Sequence, residues 1–316
     1  MSDADHSPGG NKDAAKQPCV SIIVVTYRGK SDTLACLKSL SELTYGNFRV
    51  VVVDQNSGDG TPEAVRAEYP KVEVIENPVN DGFTGGNNVG LRAALKHPTE
   101  YLFLLNNDTV VEPGLLEKLV APMEADPKIG IIGPTILFFD EPKTINWAGS
   151  GVDWVGRPYA SKNGQPASTL DMRMCETGTA SGCAMLMRRA VLEQVGLLDN
   201  RFFIYYEEND LCERARRAGW KLMYLPTAVL WHKESKVMKA VGNDFGYYHM
   251  TRNRLLYLWK NSNPRLLACL YCIGSTLKQA LVLALKGQAH KAIVMLRALR
   301  DSLTGRWGDT FFSYKR

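Results

Sequence analysis

Asp54 and Asp108 each follow a hydrophobic run, Val51-Val52-Val53-Asp54 and Leu104-Leu105-Asn106-Asn107-Asp108. A carboxylate just past the carboxyl end of a strand projects into the crevice where open α/β sheets bind ligands. Asp108 is the one acid of its turn, with the amide of Asn106 two positions earlier. One carboxylate suffices for a hard divalent cation whose other ligands are phosphate oxygens and water. The plainer role is a turn or helix cap, which Asx residues also favour. A second cluster, Glu207-Glu208-Asn209-Asp210, follows Phe202-Phe203-Ile204-Tyr205-Tyr206. Acids beside apolar rings and beside one another have raised pKa values, which suits a general base. Acids in a first helical turn also simply complement the helix dipole. His232 closes the run Ala228-Val229-Leu230-Trp231, a position suited equally to a ligand or to a satisfied structural histidine. The stretch Asn80-Asp81-Gly82-Phe83-Thr84-Gly85-Gly86-Asn87-Asn88 reads as a loop opening a helix, where backbone N–H groups approach an anion. It matches neither the dinucleotide nor the P-loop pattern.

The elements that must position these residues alternate. Short apolar runs, β-branched at 20–25, predict strands at 20–25, 49–53, 72–76 and 101–105; helices are predicted at 31–43, where leucines recur every three residues, at 61–69, with Pro62 in the first turn, and at 89–97 and 115–123. That order is the signature of a doubly wound, mostly parallel sheet. Further strands are expected at 131–132, 135–139, 184–187, 220–224 and 228–231, a turn region at 192–199, and a helix at 210–218. Two apolar helices are expected at 245–259 and 266–285.

Composition bounds the rest. A chain of 316 residues with 45% hydrophobic and 22% charged residues buries a real core, which excludes global disorder, collagen and small disulfide scaffolds. Several separate runs of about 20 apolar residues are lacking, which excludes a multi-span membrane protein. The net charge is +5, yet residues 251–316 hold twelve basic and two acidic residues, leaving the first 250 net acidic. The expected division is a disordered leader over 1–17, a main domain over 18–250 and a basic helical tail over 251–316. Basic residues interleaved with Leu, Ala and Val favour a lipid surface over nucleic acid. An interfacial helix pair is preferred for the tail, over packing on the main domain and over a single span. The seven cysteines show no framework spacing, so reduced thiols in a cytosolic protein are expected. Cys269 and Cys272 form a CxxC without a second pair.

Several motifs, in register over about residues 18–260, resemble the inverting GT-A glycosyltransferases of family 2. They are Ser21 to Tyr27, Val51 to Thr61, Asn80 to Gly90, Leu104 to Thr109, Ser181 to Met185, Tyr206 to Leu211 and Trp231-His232. Tyr248 to Trp259, with Arg252-Asn253-Arg254, and Ala298 to Leu303 are similar to the bacterial rhamnosyltransferase branch. The resemblance implies a GT-A fold with a C-terminal helical extension and sugar transfer from a nucleoside diphosphate donor. Thr26, Tyr27 and Asp54 would hold the nucleoside. Asp59, Gly82, Phe83, Gly86 and Asn87 would line the nucleotide-sugar pocket, and Asn56, Asn107 and Glu207 belong to the same substrate-binding set. Asn106 and Asp108 occupy the ends of the DxD motif, with Asn106 departing from the usual acid. Asp108 and His232 would hold Mg²⁺ or Mn²⁺. Glu208 matches the usual catalytic base, and Asp210 is the second choice.

The resemblance further implies a glycan or lipid-linked acceptor of a bacterial envelope, with dTDP-rhamnose favoured as donor. It places the enzyme in the cytoplasm, peripheral on the inner face of the cell membrane. The oligomeric state stays open. Two other readings compete. A nucleotidyltransferase lacks its basic, Gly-rich N-terminal signature here, and a sugar-nucleotide-binding module with a degenerate site would explain Asn106.

Overall fold

The computed structural model describes residues 17–233, 243–308 and 311; the expected leader falls outside them except for Gln17. Strands β1 (Val20–Thr26), β2 (Phe48–Asp54), β3 (Glu73–Glu76) and β4 (Tyr101–Asn106) alternate with helices α1 (Lys30–Ser41), α2 (Thr61–Glu68) and α3 (Gly82–Ala94). Next come β5 (Thr109–Val111), α4 (Leu115–Ala125), β6 (Ile129–Phe138), β7 (Ile145–Trp147), β8 (Ser150–Val152), β9 (Pro158–Ala160), β10 (Cys175–Glu176) and β11 (Ala184–Arg188). Helices α5 (Arg189–Val195) and α6 (Glu207–Arg217) lead to β12 (Lys221–His232). Three helices follow: α7 (Asn243–Asn261), α8 (Arg265–Leu285) and α9 (Ala289–Leu303).

The main sheet runs β10-β12-β6-β11-β4-β1-β2-β3, with β5 on β12 and β7 on β6. β1 pairs in parallel with both β2 and β4, so the order reverses at β1 and opens a crevice beyond its carboxyl end. Ile22, Ile23 and Val24 are fully buried because helices cover both faces, the condition under which parallel strands read as unbroken apolar runs. Leu37 and Leu40 of α1 and Leu115, Leu116 and Leu119 of α4 pack on one face. Leu91 of α3, Val191 and Leu192 of α5 and Leu211 and Ala215 of α6 pack on the other.

Five local expectations change. The glycine stretch expected as a loop over 80–88 is already helix from Gly82. A Cβ on Gly86 would collide with the Gln55 amide and the Val25 side chain, and one on Gly90 with Ile23. These glycines let α3 lie close against β1 and β2; they do not form a flexible anion loop. The two strands expected at 131–132 and 135–139 form one, β6, which runs through Pro134. Opposite Pro134, β12 bulges between Leu225 and Val229, joining the two strands expected at 220–224 and 228–231. A proline cannot donate to a ladder, and a bulge in the partner accommodates it. Part of the turn region expected at 192–199 is α5. Lastly, α6 starts at Glu207 rather than Asp210, so the acids form its first turn.

The tail packs as helices. Ala268, Cys269, Cys272, Thr276 and Ala280 form the buried face of α8. Its outer face exposes Leu266, Leu267, Leu270, Leu277, Leu281 and Leu285. By length and composition α8 is apolar enough to cross a membrane, and only 28% of its most apolar window is buried. All seven cysteines are free, five of them buried. Helix α7 runs unbroken across residue 250, the expected start of the tail.

Asp210 staples α7 to α6. Fully buried, it accepts from Arg214 Nε at 2.9 Å and Asn261 Nδ2 at 2.9 Å, and its Oδ1 lies 2.7 Å from Lys260 Nζ. Removing one partner of a buried ion pair strands the others, at a cost of roughly 3–5 kcal/mol. Asp210→Ala is therefore expected to lower the unfolding free energy by about 3 kcal/mol, measured by urea denaturation. An unchanged midpoint would refute the staple.

Candidate active site

The crevice beyond β1 and β4 opens into a cavity of about 1040 Å³. Asp108 follows β4, and His232 ends β12; they meet because β5 pairs with β12, placing His232 opposite Thr109. His232 Nε2 lies 3.1 Å from Asp108 Oδ1. Neither Asp108 oxygen, both buried, takes a well-aligned hydrogen bond, and the buried Nδ1 of His232 has no partner. Burial works to lower the His232 pKa, but the adjacent Cys183 and the Asp108 carboxylate together hold it above the ordinary imidazole value. A buried carboxylate with unspent lone pairs beside an imidazole is a fitting donor set for Mg²⁺ or Mn²⁺ completed by phosphate oxygens. Among the described residues no group of three or more His, Cys, Asp or Glu forms a closed metal cage.

Glu207 and Glu208 open α6 on the cavity wall. Glu207 is buried and Glu208 half-buried, and each has one buried oxygen without a hydrogen-bond partner. Burial raises both pKa values, and the charge of Glu208 raises Glu207 further. Asn209 Nδ2 donates to Glu208 Oε1 at 3.1 Å. Burial of two adjacent carboxyls disfavours a charge on both at once, and each leaves one buried oxygen without a partner.

The segment leading into this pair is unusual. Phe203, Tyr205 and Tyr206 all have left-handed backbone, with φ of 66°, 69° and 75°. Such conformations cost non-glycine residues roughly 1–3 kcal/mol each and need external support. Two residues of α7, Arg252 and Asn253, give that support while fully buried themselves. Asn253 Nδ2 donates to the carbonyls of Phe202 (2.8 Å), Ile204 (2.8 Å) and Tyr205 (2.9 Å). Arg252 donates to the carbonyls of Phe202 (2.8 Å) and Gly308 (2.6 Å), and its Nε to Asn253 Oδ1 (2.9 Å). From the other side, Thr84 N–H donates to the Phe203 carbonyl at 3.0 Å, where a side chain on Gly82 would collide.

The expected site residues divide into two groups. Phe83, Asn106, Asp108, Glu207, Glu208 and His232 line the cavity. The others do not. Thr26, level with Asp54 at the end of the β1–β2 pair, is buried, accepting from Thr33 Oγ1 (2.9 Å) and Asn107 Nδ2 (3.3 Å). Asp54 Oδ2 accepts from the Ser57 N–H at 3.0 Å, while its Oδ1 is buried and unpartnered. Asp59 braces the starts of α1 and α2 through Lys30 N–H (3.3 Å) and Thr61 N–H (3.1 Å). Tyr27 is half-buried and Asn56 exposed on the same edge. Gly82, Gly86 and Asn87 belong to α3, where Asn87 donates to the Phe83 carbonyl at 2.8 Å. Asp210 points away from the cavity into its own ion pairs and is not placed to serve as base. Cys183, Arg252, Asn253 and Arg254 escaped the sequence-based site set; consecutive polar residues within an apolar helix were the available signal.

The model of the family described as "Glycosyl transferase family 2" matches residues 21–196. The chain belongs to this family. The transferase is 28% identical to the N-acetylglucosaminyl-diphospho-decaprenol L-rhamnosyltransferase of Mycobacterium tuberculosis, over 72% of this chain and 80% of that protein. It is 26% identical to a dTDP-rhamnosyl transferase of Shigella flexneri, over 91% of this chain and 95% of that protein. Among solved structures, the mannosyltransferase of Pyrobaculum calidifontis in complex with GDP-Man and Mn²⁺ superposes with a TM-score of 0.57 at 17% identity, covering 92% of this chain and 88% of that one. S. aureus TarS 1-349 in complex with UDP-GlcNAc gives 0.58 at 16% identity, covering 90% and 80%. The transferase fold is GT-A, with a mostly parallel sheet and C-terminal helices.

Two tests follow from the geometry. A buried carboxyl with a raised pKa keeps its proton in the folded state after the unfolded chain has lost it. Stability therefore falls as pH rises above the ordinary Glu value of about 4.3. Glu207→Gln is expected to raise Tm by about 2 °C at pH 8 and by less at pH 5, read by differential scanning fluorimetry; equal shifts at both pH values would contradict the assignment. Asn253→Ala, which removes this donor from the Ile204 and Tyr205 carbonyls and leaves Phe202 to Arg252, is expected to cost about 3 kcal/mol in urea denaturation. An unaltered midpoint would mean the left-handed turn holds itself.

Proposed function

We propose that the protein is an inverting transferase that moves a sugar from a nucleoside diphosphate donor to a hydroxyl of a cell-envelope glycan or lipid-linked acceptor. The observation that carries this reading is the lining of one cavity by the Asp108–His232 pair and by Glu208. The names of the relatives favour dTDP-rhamnose as donor.

A departing nucleoside diphosphate develops negative charge. A divalent cation at Asp108 and His232, when bound, supplies charge neutralisation for that leaving group. The chain's own residues do the rest. Asn106 and Phe83 shape the cavity beside the pair. Glu208 takes the proton of the attacking hydroxyl, and its partly buried setting makes it a stronger base than an exposed glutamate. Glu207, buried beside it, raises the proton affinity that the pair shares. The aromatic segment ahead of them keeps water from competing with the acceptor. Backside attack in one displacement inverts the anomeric carbon without a sugar–enzyme intermediate. The basic tail and the exposed leucines of α8 support a peripheral seat on an anionic membrane surface.

Glu208→Gln is expected to lower kcat by about 10²–10⁴-fold while nucleotide binding persists, and EDTA is expected to abolish transfer until Mg²⁺ or Mn²⁺ is restored. Full activity in the variant would remove Glu208 as base. Full activity in EDTA would remove the cation.

A further inference from the structure

Arg254 is a further charged group on the cavity wall whose hydrogen-bonding capacity is not fully spent. It stands on α7, half-buried, two residues past the Arg252 of the clamp. Its Nε donates to the Val155 carbonyl at 2.8 Å. Its Nη2 is buried and has no hydrogen-bond partner, and Arg254 forms no ion pair with a described residue. Glu207 and Glu208 line the same cavity without pairing to it. A guanidinium held this way forfeits hydration without compensation unless an anion arrives. Arg157, exposed on the approach to β9, adds a second positive charge to the lining.

The position separates this anion from the donor's. Asp108 and His232 belong to the sheet side of the cavity. Arg254 belongs to the side built by the tail helices, together with Met250 of α7, Thr276 and Gln279 of α8, and Met295 of α9. On α8, beside Thr276 and Gln279, Leu277 and Leu281 are 48% and 61% exposed, and Leu285 at the helix end is 79% exposed. The cavity wall that faces Arg254 is thus built partly by α8, whose outer face carries uncovered leucines next to it in sequence. Building on the transferase reading above, we infer that Arg254, seconded by Arg157, binds the phosphate or diphosphate of a lipid-phosphate-linked acceptor, whose hydrocarbon lies along α8 while its sugar faces Glu208. Fork-like hydrogen bonding to phosphate oxygens suits arginine at such a position.

The test is calorimetric and needs no turnover. Geranyl diphosphate is titrated into the full chain with dTDP and Mn²⁺ at saturation, so that the donor side is filled. Inorganic diphosphate and geraniol serve as the separate halves of the probe. The wild type is expected to bind geranyl diphosphate, with each half binding at least about tenfold more weakly. Arg254→Gln is expected to weaken binding at least about tenfold, the scale of a lost charged hydrogen bond. Arg254→Lys should recover part of it, and Arg157→Gln should weaken it less. Near-native Tm of the Gln variant guards against misfolding, and the Lys variant carries the decision if that variant melts early. Wild-type affinity in both Arg254 variants overturns the site. Displacement of the probe by rising dTDP reassigns Arg254 to the donor. Equal affinity for inorganic diphosphate overturns the lipid half of the inference. Failure of dTDP to bind the wild type counts against the donor reading instead, and the geranyl diphosphate titration without nucleotide still decides on Arg254.

Discussion

Asn253 and Arg252 carry the constraint on which the site depends. One carboxamide, oriented by a guanidinium, donates to the carbonyls of Phe202, Ile204 and Tyr205 in a backbone that turns through left-handed conformations. The exchange is mutual. The segment 202–206 gains a geometry it would not hold alone, and α7 gains buried polar contacts that no apolar helix face would supply. Because α6 starts immediately after the turn, the direction in which Glu207 and Glu208 enter the cavity is set by hydrogen bonds from a helix 45 residues further along the chain. Half-satisfied buried networks are costly, and this one is complete.

Charge is arranged by wall. The sheet side presents a carboxylate and an imidazole, the α6 side two carboxyls that share burial, and the tail side an unneutralised guanidinium. Mixed signs on the walls of one cavity are costly where buried atoms lack partners, as do single oxygens of Glu207 and Glu208 and the Nη2 of Arg254. They become favourable when a ligand carries the complementary pattern. A donor with a metal-bridged diphosphate and an acceptor with its own phosphate present such a pattern.

Much of the fold was legible because its signals are local. Short apolar runs located β1 to β4, leucine spacing α1, and a turn cluster with Pro62 α2, and α4 was placed likewise to within a few residues. The crevice residues Asp108, Glu208 and His232 were legible as acids and a histidine next to strand or helix ends. The errors have a common physical cause: each concerns a partner distant in sequence. The glycines of α3 read as a loop until β1 and β2 are seen pressed against them. β6 read as two strands because the bulge that accommodates Pro134 lies in β12. Asp210 read as a candidate base because nothing near it in sequence announces Lys260 and Asn261. Arg252 to Arg254 were recognisable only as a motif, since their partners are carbonyls, and carbonyls leave no mark in a sequence.

The dual use of α7 also bears on how such enzymes diversify. One helix supplies both the peg for the Glu207–Glu208 turn and part of the cavity wall. Wholesale exchange of the C-terminal segment between lineages would discard the peg with the wall. Single substitutions at Met250, Thr276, Gln279 or Met295 would reshape the cavity and leave the hydrogen bonds of Arg252 and Asn253 in place, the hinge pin of an otherwise adjustable door.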